Sequence, residues 1–598
     1  MTVIKVAEKE ENETEIGYKK TFYSEFGKRF FDVLLSGTAL LVLSPFLLML
    51  ALLVRIIHGS PIFFTPTRPG RYEKIFKLYK FRTMSNAVDK EGRLLPEKER
   101  LTKLGKFLRA TSLDEIPELY NIFNGDMSIV GPRPLAMKYL PYYSETERFR
   151  HSIRPGLTGL AQISGRNNLP WPQRFEKDFE YIRAISFCKD ISIILGTAKK
   201  LLGDSNVTIP GAKKSYQFDT YRVIEEEGTV PQSVEGLSYK ELGGQFWTES
   251  VAEKAGKAKD PGNTMDIDWL PTVEDSTFTL SGRAAITLAL RDAGQKKCIK
   301  KAYVPSYISF PMLQPFIQEN IEYRFYDVEF EQSAVTYKID KSYACDVFFA
   351  VDYFGTDSRC LKKYTDFYQT KGCVIVEDIT HTLLNSKAGC TDADYYVASL
   401  RKWFPVPAGG WIGKCKGVLQ NKPCIDSEHA VEKIKAGMKE KHQYISGQIK
   451  DKVSFLEKMT GFESDLVQLN PMLQIDKLSL NIINRIDIDT VRHSRKANAF
   501  VLYERLKDVK AITFLNTQAE IKENVPLFLP IVLDNKLRNT LRKHLIKKGF
   551  YCPVHWPETM GADCGIRKNE LSIVCDQRYS QEDMILLADE IRKCFLQT

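Results

Sequence analysis

The chain has 598 residues, 43% of them hydrophobic, which is enough for several domains with real cores. Its net charge of +10 is uneven, because residues 1–210 hold 32 Lys and Arg against 23 Asp and Glu, a surplus that suits an anionic membrane surface or phosphate-bearing ligands. No zinc-finger spacing or RNA-binding aromatic signature accompanies that charge, which argues against nucleic acid as a partner, and the 12 cysteines lack paired CxxC spacing and read as reduced cytosolic thiols. Residues 1–23 form a polar tail. From Phe30 to Val54 runs an apolar stretch of 25 residues whose only charge is Asp32. As one straight helix it would be about 37 Å long, enough to span a hydrocarbon core. Ser44-Pro45 interrupts it, and Lys or Arg lies on both sides, at Lys19, Lys20, Lys28 and Arg29 before and Arg55, Arg68, Arg71, Lys74 and Lys77 after. Positive charge on both flanks puts both ends on the cytoplasmic side, so the segment reads as a re-entrant hairpin in one leaflet, with Ser44 able to return its hydroxyl to a freed carbonyl. A kinked single span is the alternative. A signal peptide fits less well, since the run is long and begins far from Met1.

Beyond it, Pro61 to Met84 alternates apolar and polar residues and predicts short strands, and helical periodicity marks Glu99–Ala110 and Leu113–Phe123. The second of these helices opens at Thr111-Ser112-Leu113-Asp114-Glu115, with Ser112 or Thr111 as cap and two adjacent carboxylates in its first turn. Two Gly/Pro-rich loops carrying arginines follow, one containing Gly131-Pro132-Arg133-Pro134 and the other running from Arg154 to Asn167. Glycines let backbone amides approach an anion and arginines clamp phosphate oxygens. A carboxylate pair near such loops suits phosphoryl transfer, one carboxylate attacking phosphorus and the other holding Mg²⁺, although a helix N-terminus favours acids for structural reasons alone.

Residues 24–210, on the motifs Lys28–Asp32, Ser44-Pro45, Lys80–Met84, Leu113-Asp114-Glu115, Gly131–Pro134, Pro155–Gly159 and Gly165-Arg166-Asn167, resemble the bacterial sugar transferases, monotopic phosphoglycosyl transferases. That resemblance implies transfer of a phosphosugar from a UDP-sugar to polyprenol phosphate at a bacterial inner membrane, with the catalytic domains facing the cytoplasm. It implies Asp114 as nucleophile, Asp114 and Glu115 as the Mg²⁺ site, and Arg109, Arg133, Arg166 and Asp190 as substrate contacts. Asp178 and Tyr181 match a further motif, and Leu160 stands where an aromatic is common.

Residues 211–263 are charged and Gly-punctuated and read as a linker with one or two short elements. From 264 to 598, apolar runs such as Val347–Val351 and Cys373–Val376 read as buried parallel strands alternating with helices, with a helix-rich last part from about 425 and a sheet near Leu527–Leu533. Three segments form a second constellation: Ser281-Gly282 opening a helix as a phosphate cup, Asp378 just past a buried strand, and Ser399 followed by Lys402 and Gly409-Gly410. Pyridoxal 5'-phosphate (PLP) needs a phosphate cup, an acid for its ring nitrogen and a lysine amine. Through Glu377-Asp378-Ile379-Thr380-His381 and the glycine pair, the region resembles the DegT/DnrJ/EryC1/StrS sugar aminotransferases of fold type I. This implies PLP bound by Ser281, Gly282, Asp378, His381, Ser399 and Lys402, an amino-acid amino donor and a homodimer. The spacing from Ser399 to Lys402 is shorter than the family's, and Ala408 stands where an acid usually precedes the glycines. The fold class expected is therefore α/β: a re-entrant membrane hairpin with a small α+β catalytic domain, then a PLP-transferase-like domain with a smaller C-terminal subdomain. The function expected is bifunctional; the alternative is a single phosphoglycosyl transferase whose C-terminal domain is a non-catalytic dimerising or regulatory module.

Overall fold

The computed structural model describes residues 21–85, 87, 97–165, 169–202, 216–232, 234–247, 267–331, 334–355, 359–385, 389, 392–556 and 565–596. The chain divides into two compact units, Met1–Asp219 and Thr220–Thr598.

The first unit begins with the apolar segment, which is one continuous helix, Lys28–His58, extended at its start by a short wide-pitched turn, Tyr23–Gly27. Helical assignment continues through Pro45, which stands inside the helix. Pro45 has no amide to give the carbonyl four residues back, and the Ser44 hydroxyl takes its place, donating to Leu41 O at 2.8 Å. Both ends of the helix pack on the same unit. At the start, Arg29 donates to the carbonyls of Ile122 and Phe123, and Asp32 Oδ1 accepts from Ile129 N at 2.9 Å. At the end, Leu50 and Val54 pack with Phe81 and Leu108, and His58 Nε2 lies 2.6 Å from Thr102 Oγ1. Between Gly37 and Met49 no residue is buried, and Leu41, Val42 and Leu48 are among the most exposed apolar side chains of the chain. The helix is long and apolar enough to cross a membrane.

The strands expected in Pro61–Met84 form as Phe63–Phe64, Thr67–Pro69, Ile75–Lys77 and Lys80–Phe81. The helix expected at Glu99–Ala110 is split into a short Glu97–Arg100 and Lys103–Thr111, the latter capped by Thr102, whose hydroxyl accepts from Gly105 N. The expected helix Leu113–Phe123 is broken. Ser112 sits in the left-handed region at φ 57° with no side-chain cap, Leu113–Glu115 make a single tight turn, and a regular helix, Glu118–Asn124, starts only after Pro117. A proline tolerates the first helical position but cannot continue a preceding helix, which explains why the turn and the helix are separate.

The second unit is built on an eight-stranded sheet in the order Ala334–Lys338, Glu322–Glu331, Lys301–Pro305, Val347–Val351, Val374–Asp378, Tyr395–Ser399, Gly410–Lys414 and Asp275–Thr279. The five strands from Glu322–Glu331 to Tyr395–Ser399 are mutually parallel, and Gly410–Lys414 runs antiparallel to both its neighbours. All five residues of Val347–Val351 are buried, which is why that run carries no alternation. Burying each of its Val and Phe side chains contributes about 1.5–3 kcal/mol. A smaller antiparallel sheet, Thr513–Phe514, Leu529–Val532 and Glu570–Ile573, packs with helices Ile488–Leu506 and Gln581–Leu596. The α/β class and the smaller C-terminal subdomain are as the sequence predicts. Part of the stretch read as linker is ordered on the second unit: Leu242–Gly243 pairs with Phe550–Tyr551, Trp247 is buried, and Glu241, 2% exposed, takes Lys452 Nζ at 2.7 Å.

Candidate active sites

In the first unit, close backbone approach delivers the charges. A Cβ on Gly105 would fall 1.7 Å from Thr83 O, so only glycine lets helix Lys103–Thr111 lie against the stretch after Lys80. Arg109 from that helix donates through Nε to Thr83 Oγ1 at 3.0 Å. The two Gly/Pro-rich loops meet as well: Ser128–Val130 and Gly156–Thr158 pair in parallel, and a Cβ on Gly156 would lie 2.1 Å from Gly131 N. This pairing carries Arg133 to the Asp114-Glu115 turn. Glu115 Oε1 receives Lys80 Nζ at 2.7 Å and Arg133 Nη2 at 2.8 Å, and Lys80 also reaches Glu118 Oε1 at 3.0 Å.

The electrostatics separate the three carboxyls. Burial pushes Glu115 up, but Arg133 and Lys80 outweigh it and hold the group down at about 2. Burial drives Glu118 up to about 7, with Lys80 opposing and the Glu115 charge adding to the rise. Asp114 is raised by burial first and by Glu115 second. Lys80 and Glu118 were not among the sequence candidates. Lys80 lies inside a motif, yet no local pattern says that a strand lysine meets a turn 35 residues on.

Among the described residues no three His, Cys, Asp or Glu side chains gather as a metal cage. Mg²⁺ does not require one, since it commonly takes one or two carboxylates and completes its shell with phosphates and water. Both cations address Oε1 of Glu115, which leaves Oε2 and the neighbouring Asp114 as donors of the right kind. Arg166 lies outside the described residues. Asp190 is not brought to the Asp114 turn by any contact: Tyr181 OH donates to its Oδ1 at 2.6 Å, and Tyr23 OH and Lys28 Nζ reach its Oδ2 at 2.8 and 2.6 Å. Three donors on this buried carboxylate tie it to the start of the long helix. Asp178 is likewise internal, paired with Arg150 Nη2 at 2.9 Å.

In the second unit the expected residues converge at the carboxyl ends of the parallel strands, where open α/β sheets place their ligands. Asp378 is the last residue of its strand and Ser399 the last of the next, and Lys402 closes the tight turn Leu400–Lys402 that follows. Ser281 caps helix Gly282–Lys296, its hydroxyl accepting from Ala284 N at 3.2 Å. A Cβ on Gly282 would meet Ser399 Cβ at 3.0 Å, and one on Gly410 would meet Ser281 C at 2.2 Å, so the glycines bring the helix start, the Ser399 strand end and the glycine pair into contact. Thr380 joins the acid to the serine: its amide donates to Asp378 Oδ1 at 2.8 Å and its hydroxyl accepts from Ser399 N at 3.0 Å.

Burial raises Asp378 to about 6, so a nearby cation would be welcome. Lys402 is accessible to solvent yet surrounded by enough protein to lower its ammonium below the ordinary range, with Glu463 opposing and Arg401 adding. His381 is buried, with its ring centroid 4.9 Å from that of Phe354 and 5.6 Å from that of Trp556. A helix N-terminus, a buried acid and an amine of lowered basicity are the donor set that PLP requires, and they fit it. Ala408, where the resembled family has an acid, is fully buried.

Residues 23–204 match the family described as bacterial sugar transferase. The sugar transferase EpsL of Bacillus subtilis, itself uncharacterized, is 47% identical over 175 residues, covering 29% of this chain and 87% of that protein. The exopolysaccharide production protein ExoY of Sinorhizobium fredii is 40% identical over 187 residues, covering 28% and 83%. The undecaprenyl-phosphate galactose phosphotransferase of Salmonella typhimurium is 39% identical over 197 residues, covering 30% of this chain and 41% of its own length. Among solved structures, the aminotransferase TlmJ of Streptoalloteichus hindustanus is similar at 12% identity and a TM-score of 0.38, covering 54% of this chain and 86% of that one.

Proposed function

The chain belongs to the bacterial sugar transferase family through residues 23–204, and from that premise we propose that its first unit moves a phosphosugar from a UDP-sugar to polyprenol phosphate, releasing UMP. The observation that carries this reading is the Asp114-Glu115 turn ringed by Lys80 and Arg133. An Asp114 carboxylate oxygen attacks the phosphorus bonded to the sugar, and the diphosphate P–O bond breaks with UMP as leaving group. The phosphate oxygen of polyprenol phosphate then attacks the same phosphorus and frees Asp114. Asp114 and Glu115 would hold Mg²⁺, which would neutralise charge on the diphosphate. Arg133, together with Arg109 and Arg166, contributes guanidinium groups for phosphate oxygens. Arg133 and Lys80 favour the ionised form of Glu115. The test is UMP release from a panel of UDP-sugars with polyprenol phosphate. Replacing Glu115 by Gln is expected to raise the Mg²⁺ concentration needed for half-maximal rate by about 10- to 100-fold. An unchanged Mg²⁺ titration would remove Glu115 from the metal site.

The apolar helix is proposed to enter the inner membrane from the cytoplasmic side and to return to it. Its two packed ends and bare middle support this, as does basic charge on both flanks. With Ser44 and Pro45 replaced by Ala and Leu, the helix is expected to straighten and carry one terminus across. Protease accessibility of a tag at Met1 reads the outcome, and a tag already on the far side in the wild type would defeat the re-entrant arrangement.

The second unit is proposed to transfer an amino group from an amino acid to a keto nucleotide sugar, which the first unit would then use. Pyridoxal 5'-phosphate would supply the electron sink for that transfer. Lys402 provides the amine that holds it, Asp378 the charge that keeps its ring nitrogen protonated, and Gly282 with Ser281 and Ser399 the phosphate cup. His381 closes one side of the site. Joining the two units in one chain, as a homodimer, keeps a scarce intermediate close to its consumer.

A further inference from the structure

Two buried imidazoles stand beside the second site, and their hydrogen bonds fix the proton on each. His381 Nδ1 accepts the Phe354 amide at 3.3 Å, so that nitrogen carries no proton. Burial, then the nearby His555 and Lys402, lower its pKa well below the ordinary range, and the neutral ring therefore carries its proton on Nε2. His555 is fixed the other way. Ser572 Oγ donates to Glu570 Oε1 at 2.5 Å, and a hydroxyl has one proton to give. The 2.8 Å contact between Ser572 Oγ and His555 Nδ1 must therefore be donated by the imidazole, and in the tautomer that carries this proton the lone pair lies on Nε2. Glu570 is held in place by its other oxygen, which accepts the His555 amide at 2.7 Å. The two ring centroids are 5.5 Å apart at 74°, and Trp556 stacks on His381. Neither Nε2 has a partner among the described residues.

A ring that accepts and a ring that donates, side by side and close to Lys402, match a ligand presenting one hydroxyl and one unprotonated oxygen. We propose that His555 and His381 form a substrate-reading pair for a keto sugar, His555 Nε2 accepting from a sugar hydroxyl and His381 Nε2–H donating to a neighbouring carbonyl oxygen. Ser572 and Glu570 are positioning residues: they touch no ligand and set which nitrogen of His555 is free. This assignment rests on the aminotransferase reading of the second unit. An amino-acid donor, with its ammonium and carboxylate, offers the same pair of partners, and the experiment separates the two.

The test uses the full chain in detergent, supplied with PLP, with a UDP-linked 4-keto-6-deoxyhexose and L-glutamate as probes. Borohydride fixation of PLP to Lys402 monitors cofactor loading, and equilibrium dialysis measures each probe. Ser572→Ala is expected to fix PLP as the wild type does while weakening keto-sugar binding about 10-fold, and His555→Gln to weaken it about 10- to 100-fold. Ser572→Thr, which keeps the hydroxyl, is expected to restore binding, and L-glutamate affinity is expected to stay level across the Ser572 variants. A Ser572→Ala protein that fixes PLP and binds the keto sugar as tightly as the wild type overturns the proposal, as does a loaded wild type that does not bind it. Loss confined to L-glutamate, or equal for both probes, assigns the pair to the amino donor and overturns the keto-sugar assignment. Failure of the wild type to fix PLP overturns the aminotransferase reading itself, and the pair's assignment with it.

Discussion

Replacing Asp114 with Asn is expected to lower UMP release by about 10⁴-fold or more while leaving membrane association intact, because an amide cannot serve as the nucleophile of a covalent displacement. The surrounding charges make the expectation specific. Glu115 is held near 2 by Arg133 and Lys80 and stays ionised, whereas Asp114 is raised by burial and by that neighbouring charge. The nucleophile must be ionised, so activity should fall with decreasing pH at a higher pH than for an ordinary aspartate. Near-normal turnover in the Asn variant, measured as UMP formed per enzyme, would sink the assignment. Folding should survive, since Asp114 lies in a short turn and the core of the first unit is built elsewhere, around Leu108, Ile122 and Val130.

Replacing Lys402 with Ala is expected to abolish borohydride-fixed PLP and to reduce amino transfer by about 10⁴-fold or more, with phosphosugar transfer continuing. The lowered basicity of Lys402 leaves more of its amine unprotonated at neutral pH than an ordinary lysine would have, which favours its attack on an aldehyde. Peptide mapping after reduction decides the matter. An adduct on another lysine would mean that the site is misassigned, and no adduct in fully loaded wild type would leave the second unit as a non-catalytic module.

The buried strands Val347–Val351 and Val374–Asp378 could be read from the sequence because a strand covered on both faces has no polar residue to disguise it. The end of such a strand is also where Asp378 was expected, and Gly282 and Gly410, singled out as part of a phosphate cup and of a glycine pair, lie at close approaches. The apolar helix was legible from length and composition, as was the Ser44 hydroxyl's answer to Pro45. The rest depended on distant partners. Nothing local shows that Ser112 would turn left-handed and split a periodic stretch into a tight turn and a helix. Asp190 looked like a free carboxylate because Tyr23 and Lys28, which occupy it, lie 167 and 162 residues away. Nothing local singles out Glu118, whose character comes from Lys80 and Glu115 beside it. The relay from Glu570 through Ser572 to His555 was invisible for the same reason, since it joins a strand of the small sheet to a site formed mainly by the large one.

The most direct measurement is to incubate the purified chain with Mg²⁺ and a UDP-sugar labelled in the phosphate attached to the sugar, omitting polyprenol phosphate, and to locate the label by peptide mass spectrometry. The account predicts one phosphosugar per chain on the peptide containing Asp114, formed with an equal amount of UMP and discharged when polyprenol phosphate is added. UMP release that needs polyprenol phosphate in the first turnover, with no label on Asp114, would contradict it.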